Sequence, residues 1–449
     1  MPMAMTTMIS SLLAAVLIAA TATTSHAADL FDLPVLSSSN GLLDISLTLE
    51  AATHSQDGFT IRSRLINGIL PGPILRIKPG DLMKINFQNK LADQGLTFTN
   101  NRLSAPDETN LHFHGMFVSG EAPSDDPKIE LRPGDSYTYI TSVPSDHMPG
   151  THWFHPHRHG STAIQVGGGA AGTIIVEDPP NYPLPTAVRD AKEVVMVVMQ
   201  MDTEDLQDAV SSSRDGLVNV SGPRRRFLVT NGQINPTIRA DAGQWLRLRV
   251  VFAGWVKGTL DMAVNGCEMQ LLSKDGIYIR DFPRSITSAP VVPGGRADIM
   301  VRCSAASRSF PISGWQGNTI ATIVTSGTTV SSSNLPSWTP PFPTYLSDLR
   351  GTAATSGCSC PTNVGDNDGV NGRQYVPGQA LHISRIGAVV ERRIDVENHP
   401  YHQHVYPYQF ISVSETAYNK VGDWHDTVLG TAVVRHETSR FAGKVMIHW

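Results

Sequence analysis

Short runs in which apolar and polar residues alternate, each closed by a Gly or Pro turn signal, confine this chain to an all-β fold. Leu43-Asp44-Ile45-Ser46-Leu47-Thr48-Leu49 is such a run, and Pro71-Gly72-Pro73 and Lys78-Pro79-Gly80-Asp81 are such turns. Residues i and i+2 of a strand share a face, so a run of this kind buries one side against a second sheet. The 38 Gly and 30 Pro in 449 residues, with 41% hydrophobic and only 17% charged residues, fit a turn-rich β protein better than one built on long helices. At that length the chain has room for about three domains with sizeable cores.

The pattern divides the chain. Leu42 to Glu177 reads as a first β sandwich (42–180), and the Pro-rich stretch Asp178 to Pro185 leads to a second run of strands (190–330). Within that run Trp245-Leu246-Arg247-Leu248-Arg249-Val250 alternates, and Val292-Pro293-Gly294-Gly295 is a turn. Leu335 to Pro343, with four Pro in nine residues, and the Gly/Asn/Asp-rich Asn363 to Gly372 make 331–374 a linker and loop. Asp366-Asn367-Asp368-Gly369 begins like a calcium loop but lacks the closing glutamate and reads as solvated loop. Strands resume at Tyr375, and the unit 375–449 is shorter than the other two, which predicts an incomplete third sandwich.

The N-terminal residues 1–27 read as a signal peptide. No Asp, Glu, Lys or Arg occurs before Asp29, Ile9 to Ala22 is an apolar run too short to span a bilayer, and Ser25-His26-Ala27 has small residues at the two cleavage positions. Export is therefore expected, to the extracellular space or to a bacterial periplasm, with no membrane association after cleavage. A net charge of -5 leaves no basic surplus for a phosphate backbone, so nucleic acid is not an expected partner. Export permits disulfides; Cys267 with Cys303 is the preferred pair, or all four Cys stay unassigned, because Cys358 and Cys360 are too close for an unstrained bridge. None has zinc-finger spacing.

Eight of the 16 His fall in three short segments: His112-Phe113-His114-Gly115, His155-Pro156-His157-Arg158-His159 and His399-Pro400-Tyr401-His402-Gln403-His404. In a strand His112 with His114, His155 with His157, and His402 with His404 each present two imidazoles to one side. One such pair alone is equally well a buried, hydrogen-bonded couple. Three pairs gathered from separate sandwiches predict a site for more than one ion, and imidazole suits copper, zinc, iron and nickel. His399 lies an odd number of residues from His402, so in an extended strand it faces the other side and serves a different site.

Taken together these motifs resemble the multicopper oxidases, a family that includes laccases, bilirubin oxidases and ferroxidases. The resemblance rests on Asn67-Gly68 through Pro71-Gly72-Pro73, Lys78-Pro79-Gly80-Asp81, Leu111-His112-Phe113-His114-Gly115, Trp153-Phe154-His155-Pro156-His157 and His399-Pro400-Tyr401-His402-Gln403-His404; the middle unit matches only in general style. It implies three consecutive cupredoxin-like Greek-key β sandwiches. It implies that His112 and His402 are ligands of a type 2 copper, that His114, His155, His157 and His404 are ligands of a type 3 pair, and that His399 belongs to a type 1 site. His159 extends the pattern and reads as surface or as support for the ligands. Asp125 or Asp126 stands where the family often has an acid that assists proton delivery to bound oxygen, and either is equally well a turn residue of Ser124-Asp125-Asp126-Pro127. The implied partners are O2 and a small-molecule electron donor, phenolic, aromatic or a metal ion.

The family's last motif is His-Cys-His. Gly443-Lys444-Val445-Met446-Ile447-His448 resembles the approach to it, which makes His448 a further cluster ligand, and Trp449 stands where the type 1 Cys belongs. The implied type 1 site is thus incomplete, and oxidase turnover by the chain as written is expected to be impaired. The alternatives are a non-catalytic copper-binding protein and a degenerate oxidase fragment; a two-domain copper nitrite reductase is weaker, since it also needs a complete type 1 site. An indole is no substitute for a thiolate. The copper-loaded 449-residue chain should therefore show no intense thiolate-to-copper absorption in the visible spectrum; a strong blue band would contradict the assignment of Trp449.

Overall fold

The computed structural model describes residues 28–441 except 57–58, 96–103, 203–218, 222–225, 256–257, 356–360, 365–368, 377 and 381. The expected signal peptide, His448, Trp449, Cys358, Cys360 and most of the Asp366 to Gly369 loop lie outside the described residues. Among those described the only α-helices are the short Thr162–Gly167 and Thr186–Arg189, and strands dominate, so the all-β class expected from the turn pattern is the one that forms. No described helix is long and apolar enough to cross a membrane.

Two five-stranded sheets make the first unit. One runs in the order Val35–Ser37, Ile74–Ile77, Gly172–Val176, Gly150–His155, His112–His114, and the other contains Phe59–Ile66, Leu42–Gln56, Leu82–Asn89 and Ser136–Ser142. The alternation seen in the sequence explains the layering: Leu43, Leu47 and Leu49 on one strand and Met83, Ile85 and Phe87 on its neighbour are buried between the sheets, with Phe113, Tyr139 and Ile174. Two details depart from a simple succession of units. Asn219–Ser221 comes after the Pro-rich link yet pairs antiparallel with Phe59–Ile66 of the first unit. At the start, Leu30 donates its N–H to the Thr237 carbonyl, which lays the segment before Val35 along the middle unit.

The middle unit has a seven-stranded sheet centred on Lys192–Asp202, Trp245–Ala253 and Arg296–Arg302, faced by a five-stranded sheet that includes Thr237–Ala242 and Thr319–Thr329. Cys267 and Cys303 form a disulfide there, the pair preferred from spacing. The alternating run at Trp245 is buried on both faces. Arg247 and Arg249 are 4% and 1% exposed and reach Asp298, while Arg247 also reaches Asp178 and Arg249 reaches Glu193. Burial on this scale is tolerable only because each guanidinium meets a carboxylate. The charged face of the strand is therefore turned toward the first unit, whose Thr151 accepts from Arg249 and donates to Asp298.

The third unit has one described sheet, in the order Pro361–Thr362, Val389–His402, Thr427–Glu437, Tyr408–Val413, Trp424–His425. It begins at Pro361, inside the stretch expected to be linker and loop. A small core of Ile394, Tyr401, Tyr408, Phe410 and Val434 supports it. One apolar cluster runs through all three units, from Phe117 and Met148 of the first through Leu248 and Ile299 of the middle to Tyr406 and Trp424 of the third. This junction fixes the histidine-bearing strand ends of the first and third units against each other.

Candidate metal centre

His112–His114 is a strand of its own, and its antiparallel partner places His112 opposite His155. This pair obeys the i, i+2 rule. The other two do not lie wholly in strands: His155 and His402 are each the last residue of a strand, and His157 and His404 follow where the chain turns off the sheet. Between Val396 and Tyr401 the register against Thr427–Glu437 slips, so Glu397 to Pro400 bulge from the ladder. The parity argument for His399 therefore fails in its premise of an extended strand, and the bulge is what sets His399 apart from His402. Its Nδ1 donates to the Pro400 carbonyl at 2.7 Å, and burial lowers its pKa to about 4.

Six imidazoles meet in one buried chamber. His112 and His404 stack with ring centres 3.9 Å apart, His114 and His402 stack at 3.6 Å, and His157 meets His404 at 4.8 Å and His112 at 5.0 Å. His155 lies 5.3 Å from His112 and 5.5 Å from His114, with Trp153 stacked on it at 4.2 Å. Three overlapping sets, each with potential ligand atoms within 4.8 Å of one another, are available: His112, His402 and His404; His112, His114 and His155; and His114, His402 and Asp426. With Trp153 and Pro293, four of the histidines line a small, partly open cleft.

Hydrogen bonds behind the rings fix their orientation. His112 Nδ1 donates to the Asp125 carboxylate at 2.9 Å, and the Phe113 N–H donates to the same group at 3.0 Å. His402 Nδ1 donates to the Asp426 carbonyl at 2.9 Å, and His155 Nδ1 to the Pro156 carbonyl at 2.9 Å. His114 is turned the other way, with Nε2 against Thr427 Oγ1 at 3.2 Å and Nδ1 toward His155 Nε2 at 3.3 Å. The opposite nitrogens of His112 and His402, both Nε2, are buried with no hydrogen-bond partner among the described residues. Unpartnered buried nitrogens facing a shared space are expensive unless a cation takes their lone pairs. The donor set thus fits a metal with a taste for neutral imidazole, and fits more than one ion.

The electrostatics agree. Burial, then the neighbouring rings, hold His112 well below the usual imidazole range; burial and His402 do the same to His114. Burial pushes the Asp125 carboxyl well up. Of the two expected acids, Asp125 is therefore the one against the cluster, whereas Asp126 turns away and accepts the Lys128 N–H at 3.0 Å in a local turn. His159 has its ring 4.9 Å from Tyr375 and belongs to no potential ligand set.

Three residues absent from the sequence reading complete the surroundings. Asp426 lies 3.6 Å from both His114 Nε2 and His402 Nδ1, Thr427 touches both rings, and Arg296 of the middle unit forms a buried ion pair with Asp426. Burial works against the charge of Asp426, but Arg296 outweighs it and keeps the carboxyl well below its ordinary range. No spacing motif marks these residues, since Arg296 and Asp426 are 130 positions apart. Gly115 is needed beside them: its φ is +84°, and a Cβ there would lie 2.0 Å from an Arg296 guanidinium nitrogen.

Residues 48–181 match the family model described as multicopper oxidase. Over that segment, which makes up most of the first sandwich, the chain is similar to the multicopper oxidases. Laccase-1 of Thanatephorus cucumeris is 24% identical over 275 residues, which cover 58% of this chain and 44% of that one. The iron transport multicopper oxidase fetC of Epichloe festucae is 28% identical over 222 residues, covering 48% and 32%. The match thus spans less than half the length of these curated relatives. Among solved structures, a laccase from Pediococcus acidilactici superposes with a TM-score of 0.74 at 17% identity over 94% of this chain and 90% of its own, which supports the cupredoxin-type sandwich array as the fold.

Holding so many histidines neutral has a consequence for stability. Burial holds His147 at about 4 and His436 at about 3, and His112, His114 and His152 well below 6.5. In the unfolded chain each returns to about 6.5, so between pH 6.5 and 4 the unfolded state binds protons that the folded state refuses. Stability then falls as pH falls through this window, by up to about 3 kcal/mol for a group displaced as far as His147. The raised Asp125 acts in the opposite direction but is a single group. The melting temperature of the metal-free protein should therefore drop steadily from pH 6.5 to 4; a flat or rising profile would contradict neutral burial of these rings.

Proposed function

We propose that this chain holds copper in the six-histidine chamber and works as an oxidase, coupling one-electron oxidation of a small-molecule donor to reduction of O2 to water. The observation that carries the proposal is the convergence of His112, His114, His155 and His157 with His402 and His404, drawn from units almost 300 positions apart, in one buried space. In this reading His112 and His402 hold a type 2 copper, His114, His155, His157 and His404 hold a type 3 pair with His448, and His399 belongs to a separate type 1 site. Bound copper would supply the one-electron redox steps and the centre at which oxygen is reduced.

The protein's own part is orientation and proton management. Asp125 holds His112 by Nδ1 and so presents Nε2, the tautomer a ligand must have. The same carboxyl, pushed up by burial, is the acid placed to keep a proton beside the chamber, whereas Asp126 has no such position. The cleft beside Trp153 and Pro293 is the opening nearest the rings and the route we assign to O2. Relatives named laccase and iron transport multicopper oxidase support a phenolic or aromatic donor, or a metal ion. We further propose export under residues 1–27 and a division into domains at 42–180, 190–330 and 375–449 with the linker 331–374 between the last two.

One observation favours a second reading, a copper-binding protein without turnover: the two described cysteines, Cys267 and Cys303, are joined and neither offers a thiolate. Both readings require copper in the chamber, and that is open to direct test. Metal analysis of the copper-loaded protein should find more than one copper per chain, and replacing His114 and His157 together with Ala should remove most of it. Unchanged copper in the folded double variant would refute the assignment.

A further inference from the structure

The middle unit contributes no histidine to the chamber, yet it grips the segment that braces two of them. Asp275, at the turn after Glu268–Lys274, accepts three hydrogen bonds on one carboxylate oxygen: from His425 Nδ1 at 3.2 Å, from the Asp426 N–H at 3.2 Å and from the Thr427 N–H at 3.3 Å. Its other oxygen accepts the Arg296 N–H at 3.0 Å. The Arg296 guanidinium, fully buried, forks onto the Asp426 carboxylate, with Nη1 donating to Oδ1 at 2.8 Å and Nη2 donating to Oδ2. Thr427 Oγ1 donates to Asp426 Oδ1 at 2.7 Å, which leaves its lone pairs to accept from His114 Nε2 at 3.2 Å and His402 Nδ1 at 3.1 Å.

We propose that Asp275 and Arg296 are positioning residues of the metal chamber, acting through Asp426 and Thr427 to hold His114 of the first unit and His402 of the third in a fixed mutual orientation. The two rings lie parallel to within 15° at 3.6 Å, a close stack that needs both to be held from behind. A forked guanidinium fixes the plane of the carboxylate it meets as well as its position, which a point charge does not. The hydroxyl of Thr427, committed as a donor to Asp426, is thereby an acceptor for both rings and selects the N–H form of His114 Nε2 and His402 Nδ1. Gly115 leaves the space through which Arg296 reaches across from the middle unit. The inference rests on the copper reading above.

The test measures copper(II) affinity of the full chain by chelator competition, together with the electron paramagnetic resonance spectrum of the bound copper. Arg296→Met and Thr427→Val should each weaken binding by about 10–100-fold, the usual effect of losing a partner behind a metal ligand, and should alter the spectrum. Arg296→Lys should recover part of the affinity. Arg284→Met is the control: Arg284 joins the same two units through Asp423 at 2.8 Å and bonds Asp281 and the Tyr418 carbonyl rather than Asp426 or Thr427, so its loss should leave affinity and spectrum unchanged. If Arg296→Met does not fold, Thr427→Val, which keeps shape and removes only the hydroxyl, decides. Wild-type affinity and spectrum in folded Arg296→Met or Thr427→Val would overturn the proposal, and so would an equal loss in Arg284→Met. Failure of the unaltered chain to bind copper would instead refute the copper reading itself.

Discussion

The structure turns on six imidazoles withdrawn from water and packed ring against ring in one chamber. A buried nitrogen without a partner costs roughly 1–3 kcal/mol, and nothing among the described residues offers His112 Nε2 or His402 Nε2 a hydrogen bond. Four of the other nitrogens are held from behind: Asp125 takes His112, the Pro156 carbonyl takes His155, the Asp426 carbonyl takes His402 and Thr427 takes His114. The chamber is thus arranged to be neutral, dry and rich in nitrogen lone pairs, which is the environment of a site for soft or borderline cations.

Such a chamber cannot be made within one sandwich, because a sandwich interior is filled by the alternate side chains of its own strands. It forms where strand ends from two units meet, and the middle unit makes the meeting rigid. Arg247 and Arg249 hold the first unit through Asp178, Thr151 and shared contacts with Asp298, and Arg296 holds the third through Asp426. Buried ion pairs of this kind contribute little net stability, but breaking one leaves an uncompensated charge, so they discriminate strongly against misaligned docking. A unit without ligands is in this way still part of the centre.

The all-β class and the histidine pairs were legible in the sequence because both depend on local spacing. Alternation over seven residues needs only a strand, and His112 with His114 behaves as a strand pair should. What was not legible depends on contacts between distant segments. The bulge at Glu397 to Pro400 has no turn signal beyond Pro400, and it replaces strand parity as the reason His399 is separated from His402. The run Trp245 to Val250 has the pattern of a half-exposed strand, and only docking against the first unit turns its arginines inward. Asp426, Thr427 and Arg296 carry no motif at all. Asp125 and Asp126 were equivalent as letters, and only the fold distinguishes the one that touches His112 from the one that closes a turn.

Copper K-edge X-ray absorption of the loaded chain tests the central claim most directly, since it reports the ligands and the neighbours of the metal together. The account predicts a first shell of nitrogen and oxygen with strong imidazole scattering, and a metal-to-metal contribution at about 3.5–4 Å, the separation typical of paired metal sites. A spectrum of isolated copper without a metal neighbour, or a first shell without imidazole, would contradict it.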